Sequence, residues 1–147
     1  MHLPSFWRRA CFSVSEAAEL IGVPEMTLRT WLARAPFNDF LGAKTGGRVF
    51  LSGNDCFFYL LVKQFTTYGV PVRTAMYAAH GYADATMDTI PADERLVVRR
   101  AGDGKWTFEA AHSAPDVGAE TALVVPLLQT MLKLIERAAA VYSTEAS

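Results

Sequence analysis

Residues 12–51 constrain this chain more than any other stretch, because they read as two short helices joined by a fixed corner. The stretch is FSVSEAAELIGVPEMTLRTWLARAPFNDFLGAKTGGRVFL. Ser13 and Glu16 stand at capping-box spacing. The serine hydroxyl can accept the backbone N–H near Glu16, and the carboxylate can reach back. Val14, Ala17, Ala18 and Ile21 then fall at i, i+3, i+4 and i+7, on one helical face. The alanines on that face allow a second helix to approach closely. Gly22 tolerates the positive φ that ends a helix. Val23 is an apolar plug for the corner, and Pro24 suits the first position of the next helix. In that second helix, residues 25–35, the inward stripe is Leu28, Trp31 and Leu32. Met26, Arg29, Thr30, Ala33 and Arg34 are left outside.

Residues 43–51 follow as a hairpin. Gly46-Gly47 can supply the positive φ angles of a tight turn, and Lys44 and Arg48 flank it. Such a tip can lie along a phosphate backbone. A short helix, a three-residue turn and a second helix with a basic outer face match the geometry that docks a helix against DNA. An ordinary helical hairpin inside a larger core is the competing reading, and the basic hairpin that follows argues against it.

The stretch resembles the DNA-binding domain of MerR-type regulators and the related excisionase-like winged helices. The residues that carry the resemblance are the Ser-x-x-Glu-Ala-Ala opening from Ser13, Gly22-Val23, Thr27-Leu28-Arg29 and the Gly47-Arg48 wing. It continues to about Ala83, roughly half of the chain, with Tyr68-Gly69-Val70 where the family places a turn between two helices. Pro24 stands where the family often has a capping serine. Thr30-Trp31 replaces the family's usual tyrosine pair and is closer to the excisionase branch. The resemblance implies a winged helix-turn-helix over residues 1–84. Thr27, Arg29, Thr30 and Arg34 would then enter the major groove, and Lys44 and Arg48 would hold the neighbouring backbone. Arg73, in the first turn of a later helix, is a further candidate phosphate contact, or else a surface ion pair.

The chain has 147 residues, enough for one ordinary domain or for one domain with an appendage. Hydrophobic residues make up 51%, which supports a true core rather than disorder. The net charge of −1 hides an asymmetry. Residues 1–77 hold eight Lys/Arg against five Asp/Glu, and residues 78–147 hold six against ten, so the halves carry +3 and −4. A basic half can meet phosphates while an acidic half faces away. No apolar run approaches a membrane span, and Arg8-Arg9 precede no signal-peptide stretch, so the expected location is cytoplasmic. Arg8 and Arg9 are either a basic arm or solvated. Cys11 and Cys56 read as reduced, structural thiols.

Ser52 and Asp55 repeat the capping-box spacing, ahead of a helix that is apolar nearly all round to Tyr68. One side of it should close on the helix-turn-helix. The other needs the C-terminal half or a second subunit as cover. Pro71 opens another helix to about Ala83, and residues 85–94 read as a linker. A hairpin follows over 95–100 and 105–111, then a strand over 121–125, then a helix from Pro126 to about Tyr142. Along that helix Leu128, Met131, Ile135, Ala138 and Tyr142 form a stripe widened by Leu127, Leu134 and Val141. The stripe is expected to make a homodimer, with plain core packing as the competing reading.

Enzyme chemistry finds no motif. His2, His80 and His112 are scattered, and His80 stands four residues before Asp84, within reach on a helix. There is no phosphate loop, no G-x-S-x-G and no Cys-x-x-Cys. No cofactor and no metal are expected. The expected fold is mainly α (α+β), a winged helix-turn-helix with a small β-hairpin and helix region over 92–147. The expected function is sequence-specific regulation on double-stranded DNA, with a small-molecule or protein effector as a further partner and no membrane association. An excisionase-like factor that bends DNA and an antitoxin-like protein-interaction module are the alternatives.

Overall fold

The computed structural model describes residues 2–111 and 121–146. These form an α+β fold with five α-helices, one 3-10 turn and two three-stranded antiparallel sheets. The 3-10 turn is Ser5–Trp7. The first sheet is built from β1 (Phe12–Ser13), β2 (Ala43–Thr45) and β3 (Arg48–Leu51), in the order β1-β3-β2. Helices α1 (Val14–Ile21) and α2 (Glu25–Arg34) lie between β1 and β2 in sequence. Helices α3 (Gly53–Thr67) and α4 (Val72–Ala85) follow. The second sheet joins β4 (Arg95–Arg100), β5 (Trp106–Ala111) and β6 (Leu123–Pro126), with β4 in the middle, and α5 (Leu127–Ala146) closes the chain.

Helix α3 is the pillar. Its start is fixed by the expected capping box: Asp55 N donates to Ser52 Oγ at 3.0 Å, and Ser52 N donates to Asp55 Oδ2 at 2.9 Å. Phe57, Phe58, Tyr59, Leu61, Val62 and Phe65 are all inaccessible to solvent. A helix with so many buried side chains must be surrounded, and α1, α4, α5 and the Ser5–Trp7 turn supply most of the surround, with Lys63, Gln64 and Thr67 left in contact with solvent. Gly53 lets Trp7 lie directly on the helix start, since a Cβ there would sit 3.0 Å from the indole ring. The same indole donates to the Thr86 carbonyl at 2.8 Å, and Asn54 Nδ2 donates to the Ala83 carbonyl at 2.9 Å. Two carbonyls at the end of α4 are thereby tied by side chains to the start of α3 and to the N-terminal turn.

The C-terminal region is not an appendage. One hydrophobic core runs from Phe6 through Leu96, Val98 and Val125 to Ala138. The α5 stripe lies partly in this core. Met131 and Ala138 are buried within their own chain, while Ile135 and Tyr142 are half-buried against the same core. The Tyr142 ring lies 5.4 Å from that of Phe6. Leu128 is half-buried. Helix α5 supplies part of the cover that the apolar α3 demanded, with Met131 and Ala138 facing inward. None of the helices described is long and apolar enough to cross a membrane.

Two outcomes follow from this packing. Met131→Ala should cost about 2–5 kcal/mol of stability, as emptied core sites do, read from the denaturant midpoint. Asp55 titrates high because burial penalises its carboxylate, against the opposing Ser52 hydrogen bonds. Its folded pKa therefore lies above the unfolded value of about 3.9. The folded state binds the proton more tightly, so this group withdraws stability as pH rises from the unfolded to the folded value. Asp55→Asn should flatten stability against pH across that window, and an unchanged slope there would contradict this account.

Candidate nucleic-acid interface

The corner between α1 and α2 is tightly determined. Glu16 N donates to Ser13 Oγ at 3.1 Å, and Ser13 N donates to Glu16 Oε1 at 2.8 Å. Gly22 ends α1 at φ 83°, with its N–H and that of Val23 both on the Ala18 carbonyl. Pro24 takes an extended ψ and serves as the cap of α2, one residue ahead of the expected position. Leu28 and Trp31 are buried, and Trp31 stacks on Tyr59 at 6.4 Å. The opposite face of α2 therefore points to solvent. Met26, Arg29, Thr30, Ala33 and Arg34 are exposed on it, while Thr27 is half-buried at its flank.

The β2–β3 hairpin turns at Gly46 and Gly47, with φ 60° and 78°. Two consecutive left-handed residues are what a two-residue hairpin of matching twist requires. The register pairs Thr45 with Arg48 and Lys44 with Val49. Both cations are exposed, and the Arg48 guanidinium lies 5.6 Å from the centre of the Phe50 ring. The short strand β1, absent from the sequence reading, pairs Ser13 with Phe50 and Phe12 with Leu51. Ser13 is thus at once the strand residue that holds the hairpin and the cap of α1.

A recess of about 280 Å³ opens at this junction. It is lined by Ser13, Val14 and Ser15, by Glu25 and Arg29 of α2, and by Gly47, Arg48 and Val49 of the hairpin. Arg29 and Arg48 therefore share one concavity beside the first turn of α1. Glu25 shares it too. Arg29 Nε donates to Glu25 Oε2 at 3.0 Å, and this bond holds the Glu25 carboxyl below the usual carboxylate range, with a smaller contribution from Ser15.

Residues 35–42, which join α2 to the hairpin, form an aromatic clamp that the sequence reading did not anticipate. Phe40 adopts φ 60° and stacks flat on Phe58 at 4.7 Å. Phe37 packs edge-on against Phe58, Tyr77 and His80. His80 reads from the sequence as a surface or core histidine with Asp84 within reach; its Nε2 lies 2.7 Å from Asp39 Oδ2. A Cβ on Gly42 would collide with the Phe50 carbonyl. The loop is held at both ends, so α2 and the hairpin keep a fixed relation.

The remaining candidates stand apart from the recess. Arg73 lies over the Tyr77 ring at 5.7 Å and donates weakly to its hydroxyl at 3.5 Å. Arg8 pairs with Asp88 at 2.6 Å. No disulfide joins Cys11 and Cys56, and burial pushes the Cys56 thiol far up. Among the described residues no group of three or more His, Cys, Asp or Glu is placed to hold a metal ion; His112 lies outside them. No protein-family model matches the chain, and no curated protein matches it.

The ion pair in the recess sets an expectation of its own. Glu25→Gln releases Arg29 and removes a negative charge from beside any bound polyanion. Duplex affinity at low salt should rise about threefold, the factor for a unit charge about 7 Å from a phosphate in water. A filter-binding titration of both proteins reads it, and weaker binding by the variant would show that Glu25 serves the surface rather than restrains it.

Proposed function

We propose that the chain is a sequence-specific DNA-binding regulator, acting through a winged helix-turn-helix made of α1, α2 and the β2–β3 hairpin. The observation that carries this reading is the shared recess of Arg29 and Arg48. It puts the outward face of α2 and the basic hairpin on one surface, at a spacing fixed by the β1–β3 pairing and the Phe40 clamp. In this reading α2 enters the major groove with Arg29, Thr30 and Arg34 toward base edges. Lys44 and Arg48 neutralise phosphates beside it. Thr27 and Arg73 have lesser roles: the first is half-buried, and the second leans on Tyr77. The setting is cytoplasmic, and double-stranded DNA is the partner.

One observation favours the second reading, a small architectural factor that bends DNA in recombination. Met131 and Ala138 of the α5 stripe are buried inside the chain, which leaves less of the stripe for the pairing expected of a dimeric regulator. A monomer with one reading helix depends on neighbouring molecules along the DNA for useful affinity.

Selection of duplexes from a random pool by the full chain, followed by salt titration, tests the proposal. Arg29→Ala with Arg34→Ala should erase the selected preference, with each base contact carrying about 1–3 kcal/mol of discrimination. Lys44→Gln and Arg48→Gln should weaken all DNA alike and each lower the salt slope by about one unit. No enrichment of any duplex at low salt would overturn DNA binding and promote a protein-interaction role. Enrichment by a chain that sediments as a monomer and bends its site would promote the architectural reading over the regulator.

A further inference from the structure

We infer that Met26 reads the C5-methyl groups of thymine, so that the centre of the α2 surface is an apolar reader flanked by cations; this rests on the DNA-binding role proposed above. Met26 is 73% exposed, the most exposed large apolar side chain among the described residues. Packing inside the chain gives it no function. With Leu28 and Trp31 buried, the helical repeat centres the opposite face on Met26, Thr30 and Ala33, at i, i+4 and i+7. Arg29 and Arg34 stand on the two flanks of that column.

The column is apolar in chemistry as well as in name. The Thr30 hydroxyl donates to the Met26 carbonyl at 2.9 Å, which commits its proton to the helix backbone. A thioether, a threonine whose proton is engaged and an alanine offer no free donor to the acceptor edges of guanine and adenine. They do offer contact to the thymine methyl, the one apolar group on the major-groove floor. The flanking guanidiniums and the exposed hairpin cations beside them favour a polyanionic duplex over an apolar peptide as the occupant. An unbranched, polarisable side chain can adjust to a methyl whose position varies with local groove shape.

The test starts from the duplex that the full chain selects. Each thymine is replaced in turn by deoxyuridine, which removes the methyl and leaves every hydrogen-bonding group in place. Affinity should fall about fourfold at one or two positions, the factor for a lost methyl contact. Met26→Ala should bind thymine and deoxyuridine duplexes equally, while the unaltered chain retains the difference. Met26 is exposed, so an unchanged melting temperature verifies that the variant is folded. Sequence-specific binding that ignores deoxyuridine everywhere would overturn this inference and leave the DNA-binding proposal standing. A deoxyuridine effect that survives in Met26→Ala would assign the methyl to another residue and overturn it too. Failure to select any duplex would sink both.

Discussion

Burial of the aromatic and aliphatic side chains of α3 is the constraint on which the rest of the molecule depends. Water cannot be left against Phe57, Phe58, Tyr59, Leu61 and Phe65, so each neighbouring element is placed by the need to exclude it. The helices α1, α4 and α5 lie round it, and Trp7 covers its first residue. Polar groups at the ends follow suit. Asn54 and Trp7 donate to the Ala83 and Thr86 carbonyls at the end of α4. The arrangement holds the last turn of α4, the first turn of α3 and the N-terminal arm as one rigid block.

That block sets the geometry of the candidate interface. Trp31 anchors α2 on Tyr59, and Phe40 anchors the following loop on Phe58, so two adjacent α3 side chains position both ends of the surface. A non-glycine residue at positive φ is uncommon and persists where surrounding contacts over-determine it. The stacked Phe58 ring and the edge contact with His80 provide those contacts for Phe40. The hairpin is held from the other direction, through the pairing of Phe50 with Ser13. Exposed cations are thus presented by rigid backbone, which lowers the ordering cost of any complex they form.

The electrostatics of the surface are restrained. Arg29 is paired with Glu25 on the same helix turn. An exposed pair of this kind is weak and exchanges readily for a better partner. Nearby cations on the hairpin would supply long-range attraction, and the paired arginine would be released only by a ligand that competes with the carboxylate. Such an arrangement favours discrimination over raw affinity.

Local signals in the sequence determined most of the secondary structure. The two capping boxes, Gly22, the Gly46-Gly47 turn and the strand-forming residues on either side of the 101–104 turn each act within a few residues of backbone, so their outcome does not wait on the rest of the fold. The outward set on α2 was legible for the same reason, since helical periodicity alone separates Met26, Arg29, Thr30 and Arg34 from Leu28 and Trp31. Contacts between distant segments were not legible. Strand β1 is only two residues long and exists because β3 lies beside it. The partner of His80 is forty-one positions away in sequence, on a loop whose path is set by Phe40 against α3. The α5 stripe fitted a partner subunit or its own core equally well by pattern. Tertiary structure placed Met131 and Ala138 in the chain's own core, because the apolar α3 had a face to cover and α5 was the element within reach.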